Sequence, residues 1–183
     1  MKALSTAMNA ALVSTGISLV WGIGASVRSP GMMLHNVWKV PAILLLGAAF
    51  SLPAAALMWR LAGTPGRTVE LLRSFFVGVL GGGLVLAAVS PLVGLYYGSS
   101  RFVGPTFAQG SVLVAMATGI AIFVRAVLVS RPAETPKRRF IGPVATVVAL
   151  FSLCVIQLVA MFSPILPEPT VWDRGIDRAV RPQ

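Results

Sequence analysis

The chain has 183 residues, 56% of them hydrophobic and 11% charged, with a mean hydropathy of +0.86. A water-soluble domain carries roughly a quarter of its residues charged, so that class is excluded and the composition belongs in a bilayer. Fifteen Lys and Arg against five Asp and Glu give a net charge of +10. These cations stand at the ends of apolar runs and not in a stripe interleaved with aromatics, so nucleic acid is set aside in favour of membrane topology and anionic headgroups.

A membrane-crossing helix needs about 20 apolar residues, and five segments qualify. The first, 8–27, is stopped by Arg28-Ser29-Pro30. Ala25-Ser26-Val27 matches a signal-peptidase site only imperfectly, so an uncleaved helix is expected. A loop containing His35 leads to the second, 38–61, which ends in Trp59-Arg60. The third, 71–97, is glycine-rich; the fourth is 107–129 and the fifth 140–163. The expected fold is an all-α polytopic bundle of five transmembrane helices over 1–164, with a short soluble tail over 165–183.

With the amino terminus cytoplasmic, the inner loops and ends carry Lys2, Arg60, Arg67, Arg73, Arg131, Lys137, Arg138 and Arg139, and Arg125 lies near the inner end of the fourth span. The outer loops hold Arg28, Lys39 and Arg101. The excess of basic residues selects amino terminus in and carboxyl terminus out. Trp38, Tyr96, Tyr97 and Phe102 are expected at the outer interface, and Trp59, Phe75, Phe76 and Phe140 at the inner one. Trp21 sits deeper and has no role in this pattern.

Helices surrounded by lipid gain nothing from the hydrophobic effect on pairing, so they associate where small residues allow close backbone approach. Ala10, Ser14, Ser18, Gly22 and Ser26 form such a stripe on the first span, and Gly78 and Gly82 begin another on the third. Gly47, Ser51 and Ala55, and Ser111, Ala115 and Gly119, repeat the spacing on the second and fourth. The partner face can belong to this chain or to another copy. Pro53 and Pro91 fall inside spans two and three and predict kinked or broken helices.

Reaction chemistry is missing. One histidine and one cysteine, His35 and Cys154, give no metal cluster or disulfide, and no Ser-His-Asp set can be assembled. Gly81-Gly82-Gly83 lies mid-membrane without the Lys-Ser/Thr of a phosphate loop. No catalytic, cofactor or metal residues are assigned. Gln157 is the strongest intramembrane polar candidate, as a hydrogen-bonding link between helices or as a lining of a polar cavity. Arg131, Lys137, Arg138 and Arg139 form a basic loop able to touch anionic lipid headgroups or an acidic partner.

Lys39-Val40-Pro41, Pro53, Gly63, Ser90-Pro91, and Gln157 followed by Pro164, in that order and spacing, resemble a family of small five-span bacterial membrane proteins. Their layout looks like that of the Yip-type membrane proteins. The resemblance covers the chain from span one to the tail and implies a multi-pass protein of a bacterial inner membrane. It departs at Ala160 and Ser163, where a tryptophan and a basic residue are expected. Only about seven residues precede span one, so the GTPase binding of eukaryotic Yip-type proteins is not carried over. The expected function is a scaffold or regulatory partner of other membrane proteins, or of further copies of itself. The alternative is a small transporter or channel subunit with a polar path near Pro53, Pro91 and Gln157.

Overall fold

A computed structural model describes residues 2–27, 29–64, 68–131 and 134–166, and their regular structure is all helical. Arg28, Arg67 and the tail beyond Leu166 lie outside the described residues. The helices are α1 (Lys2–Gly24), α2 (Pro30–Leu61), α3 (Thr68–Ser99), α4 (Val103–Ser130) and α5 (Arg138–Phe162).

Four of them, α2 to α5, are long and apolar enough to cross a membrane. The apolar part of α1 is shorter, Asn9–Gly24, because the chain turns at Ala25 to Val27 and does not continue the helix through 27. The expected loop around His35 is also corrected. Ser29 is extended and Pro30 takes the first helical position, where a missing N–H costs nothing and the fixed φ already suits the helix. The segment from 30 to 37 is therefore the first two turns of α2. At the other end of α2, Gly63 adopts φ +58 and donates its N–H to the Arg60 carbonyl at 3.1 Å, a left-handed stop for which glycine is the cheapest residue. Ser100 joins α3 to α4, its Oγ accepting from the N–H groups of Phe102 and Val103 at 3.3 and 3.2 Å.

Pro53 and Pro91 break neither helix: α2 and α3 run continuously through them. Each removes one donor from a 32-residue ladder, and each ring lies on the exposed side, away from the helix contacts.

In cross-section α3 packs tightly on α4 and, on its other side, on α1; α1 meets α2, and α2 packs on α5. The circuit stays open between α4 and α5, which touch only sparsely. One apolar cluster joins Trp21, Val93, Tyr97, Ala108 and Leu158 at one end, and a second joins Trp59, Leu71, Phe75, Phe123 and Phe140 at the end carrying the basic loop. Several aromatics expected at the interfaces are in fact core residues: Trp59, Phe75, Tyr97 and Phe140 are all buried. Trp59 meets Phe140 edge-on at 5.4 Å, and Phe75 meets Phe151 at 5.0 Å, the arrangement aromatic quadrupoles favour. The outer surface is instead studded with exposed Leu12, Phe50, Leu57, Leu113 and Met161, as lipid contact requires.

Candidate functional site

The small-residue stripes are used within the chain. Ser14 and Ser18 are buried, and each hydroxyl donates back into its own helix, to Ala10 O at 2.6 Å and Thr15 O at 2.7 Å. Their helix thus presents a smooth surface to its neighbours. Gly22 lies under α2, where a Cβ would come within 3.1 Å of the Asn36 carbonyl oxygen. Gly78 and Gly82 form the closest seam, since a Cβ at Gly78 would fall 2.7 Å from Gly119 O and one at Gly82 2.8 Å from Ala115 O. The stripe on α3 therefore meets the stripe Ser111, Ala115 and Gly119 on α4. This is backbone-to-backbone packing of the small-xxx-small kind.

Polar ties gather at the end opposite the basic loop. Trp21 Nε1 donates to Ser111 Oγ at 3.0 Å, which gives the deep tryptophan its partner. Ser90 is buried and donates to Val20 O at 2.8 Å, so the Ser90-Pro91 pair turns its serine inward and its proline out. Asn36, fully buried, donates through Nδ2 to Ser26 Oγ and, at 2.6 Å, to Ile165 O. Its Oδ1 has no partner among the described residues. Lys39 Nζ donates to Pro164 O at 3.1 Å. The segment after α5 thus folds back onto the first turns of α2.

Pro53, Pro91 and Gln157, which the alternative reading puts beside a polar path, are all exposed on the outer surface and border neither of the two apolar cavities described below. Two cavities between the helices have almost wholly apolar linings. A cavity of about 120 Å³ lies among Leu44, Gly82, Met116, Ile120, Phe123 and Phe151. A second of about 200 Å³, nearer the Asn36 end, is bounded by Trp21, Val40, Val112, Leu113, Val159, Ile165 and the side chain of Gln109. Leu44, Leu86, Val112, Met116 and Val155 border both. These spaces lie between the α3–α4 pair and the α2–α5 pair, behind the open α4–α5 seam. The exposed Leu113 marks where the second reaches the surface.

Of the basic loop, Lys137, Arg138 and Arg139 are exposed, while Arg131 is half-buried and donates from a guanidinium nitrogen to Thr135 O at 2.7 Å. Arg131 and Lys137 share with Arg125 an open hollow of about 560 Å³, floored by Ala121, Val124, Leu128 and Val129. Among the described residues no three His, Cys, Asp or Glu side chains gather as metal ligands. Asn36, buried in the polar ties, and the α4 residues Val112, Met116 and Ile120, which border the cavities, are the candidate positions that sequence reasoning missed. The second set carries a readable signal, large apolar residues at every fourth position one register away from the small ones. Compared with known proteins, the chain matches no family model, no curated protein and no solved structure.

Proposed function

We infer that the chain is a five-span integral membrane protein that recognises other membrane components laterally, as a scaffold or regulatory partner, with a layout similar to the Yip-type proteins. The observation that carries this is the sparse α4–α5 seam, with two apolar cavities behind it, where α3–α4, α1–α3, α2–α5 and α1–α2 are packed together. An apolar slot facing lipid suits an apolar segment of a membrane component. It offers a hydrated solute nothing with which to replace its water. The small-residue stripe of α1, an obvious docking face in the sequence, is occupied by α2 and α3, so recognition is assigned to α4 and α5. With its amino terminus in the cytoplasm of a bacterial inner membrane, the basic loop faces the anionic inner leaflet. A polar transport path has no support, because Pro53, Pro91 and Gln157 point away from the cavities.

Photo-reactive side chains placed in native membranes test the reading. Positions Leu113 and Ile156, at the seam, should give adducts of defined mass, and Leu12 and Leu57, on α1 and α2, should not. Equal labelling at all four sites, or solute flux in reconstituted vesicles that is lost on Gln157→Leu, would overturn it.

A further inference from the structure

The two apolar cavities stack along one face of α4. Gln109, Val112, Leu113, Met116, Ile120 and Phe123 border one or both, and at about 100° of rotation per residue these positions fall within roughly 100° of one another. On each of α2 to α5 the shared residues stand where one lining gives way to the other, as Met116 does on α4 and Val155 on α5. The cavities are therefore two lengths of one slot. Its deep end is floored by Phe75, Phe123 and Phe151, with Phe75 edge-on to the other two at 6.1 and 5.0 Å.

Shape decides what fits. A cavity of about 150 Å³ holds one benzene ring, and these measure about 120 and 200 Å³. A helix, about 10–12 Å across with its side chains, is too wide for either, whereas a single hydrocarbon chain threads both. Entry is from the bilayer, because Leu113 at the rim is exposed and α5 stands off from α4 on this side. An unfilled apolar space forfeits the dispersion contacts of its lining, and a lipid chain entering sideways restores them.

One polar group in the lining has no partner. Trp21 Nε1 is spent on Ser111 Oγ, and Ser111 in turn donates to Ala108 O at 2.7 Å. Gln109 is half-buried, and its amide makes no hydrogen bond among the described residues. It lies about 9 Å along α4 from the start of the helix at Val103, so it meets the slot at the end nearer the interface. Its two N–H donors suit a carbonyl oxygen at that depth.

We propose that the slot holds one acyl chain of a bilayer phospholipid, its ester carbonyl accepting from the Gln109 amide and its tail running toward Phe123. This rests on the lateral-recognition reading and names the component recognised. The dimensions agree. The hydrocarbon of one leaflet is about half of the roughly 30 Å core, a length covered by about ten residues of helix. A chain with its carbonyl at Gln109 therefore ends beside Gly119 and Ile120, inside the deeper cavity.

The test uses the purified full-length chain and measures retained lipid by native mass spectrometry during titration with phosphatidylcholine or its ether-linked counterpart, which lacks the carbonyls. Phosphatidylcholine has no net charge, which keeps the basic loop out of the readout. The ester lipid should bind about threefold more tightly than the ether lipid, the worth of one intramembrane hydrogen bond. Gln109→Leu should abolish that preference while lipid is still retained. Val112→Phe, at the junction of the cavities, should block the tail and weaken retention of both lipids on the order of tenfold. Gln109→Leu keeps the site testable even if Val112→Phe does not fold. No retained lipid, an ester preference unmoved by Gln109→Leu, or retention unmoved by Val112→Phe would overturn the site. The photo-adducts at Leu113 and Ile156 separate this outcome from failure of the reading beneath it. Adducts with the mass of a lipid support both, adducts with the mass of a protein remove the acyl chain and leave lateral recognition standing, and loss of the adducts removes both.

Discussion

Helix α4 has two working faces, and they behave in opposite ways. Toward α3 it presents Ser111, Ala115 and Gly119, and the backbones close until a single Cβ would collide with a carbonyl oxygen. Toward α5 it presents Val112, Met116 and Ile120, and the helices stand apart around apolar space. The two faces differ by one residue of register, about 100° of helix rotation. Both are apolar, so hydrophobicity does not distinguish them. In lipid, side-chain size alone decides which face makes a seam and which makes a groove, because dispersion contact replaces the hydrophobic pull.

The contrast can be broken most severely at Gly82. Gly82→Val puts branched carbons against Ala115 O, a backbone atom that has no way to retreat without moving α4. Overpacking of this kind costs about 1–3 kcal/mol, and the loss of a monodisperse species in size-exclusion chromatography should show it. A smaller effect is expected between α2 and α5, a pair closed partly by polar ties. Asn36→Leu removes the donors to Ser26 and Ile165, and since such intramembrane bonds average about 0.6 kcal/mol and reach about 1.7, a loss near 1 kcal/mol should appear in a detergent unfolding titration. Smallest of all is Gln157→Leu. Its amide is exposed and makes no hydrogen bond among the described residues, so stability should stay within about 0.5 kcal/mol in the same titration. A drop as large as that of Asn36→Leu would place Gln157 in a contact and blur the distinction between seam and surface.

Much of the bundle could be read from residues alone. Runs of about 20 apolar residues mark α3 to α5 to within a few positions and the end of α2, though not its first two turns, because a helix in lipid must satisfy its own backbone. Gly78 and Gly82 were legible as packing residues for the same reason, that small size at a four-residue interval has one common use in a membrane. What could not be read is which direction a lone polar or aromatic residue faces. Gln157 and Asn36 are both amides near helix ends, and only the neighbours decide that the first looks outward and the second is fully buried. Tyr97 and Trp59, assigned to the interfaces by type, pack in the core because α4 and α5 cover them. The groove escaped notice because it is defined by two helices failing to meet, and sequence periodicity reports the faces of one helix at a time.

The tie between Asn36 and Ile165 spans 129 positions along the chain. When α2 leaves the synthetic machinery, its amide enters the membrane with one of its final acceptors not yet made. Ser26, on the preceding turn, is available as soon as the first two helices pair, but the carbonyl of Ile165 arrives only after α5 is in place. The residues that follow α5 thus act as a seal, set after all five helices, on a polar knot that the second helix has carried since its own insertion.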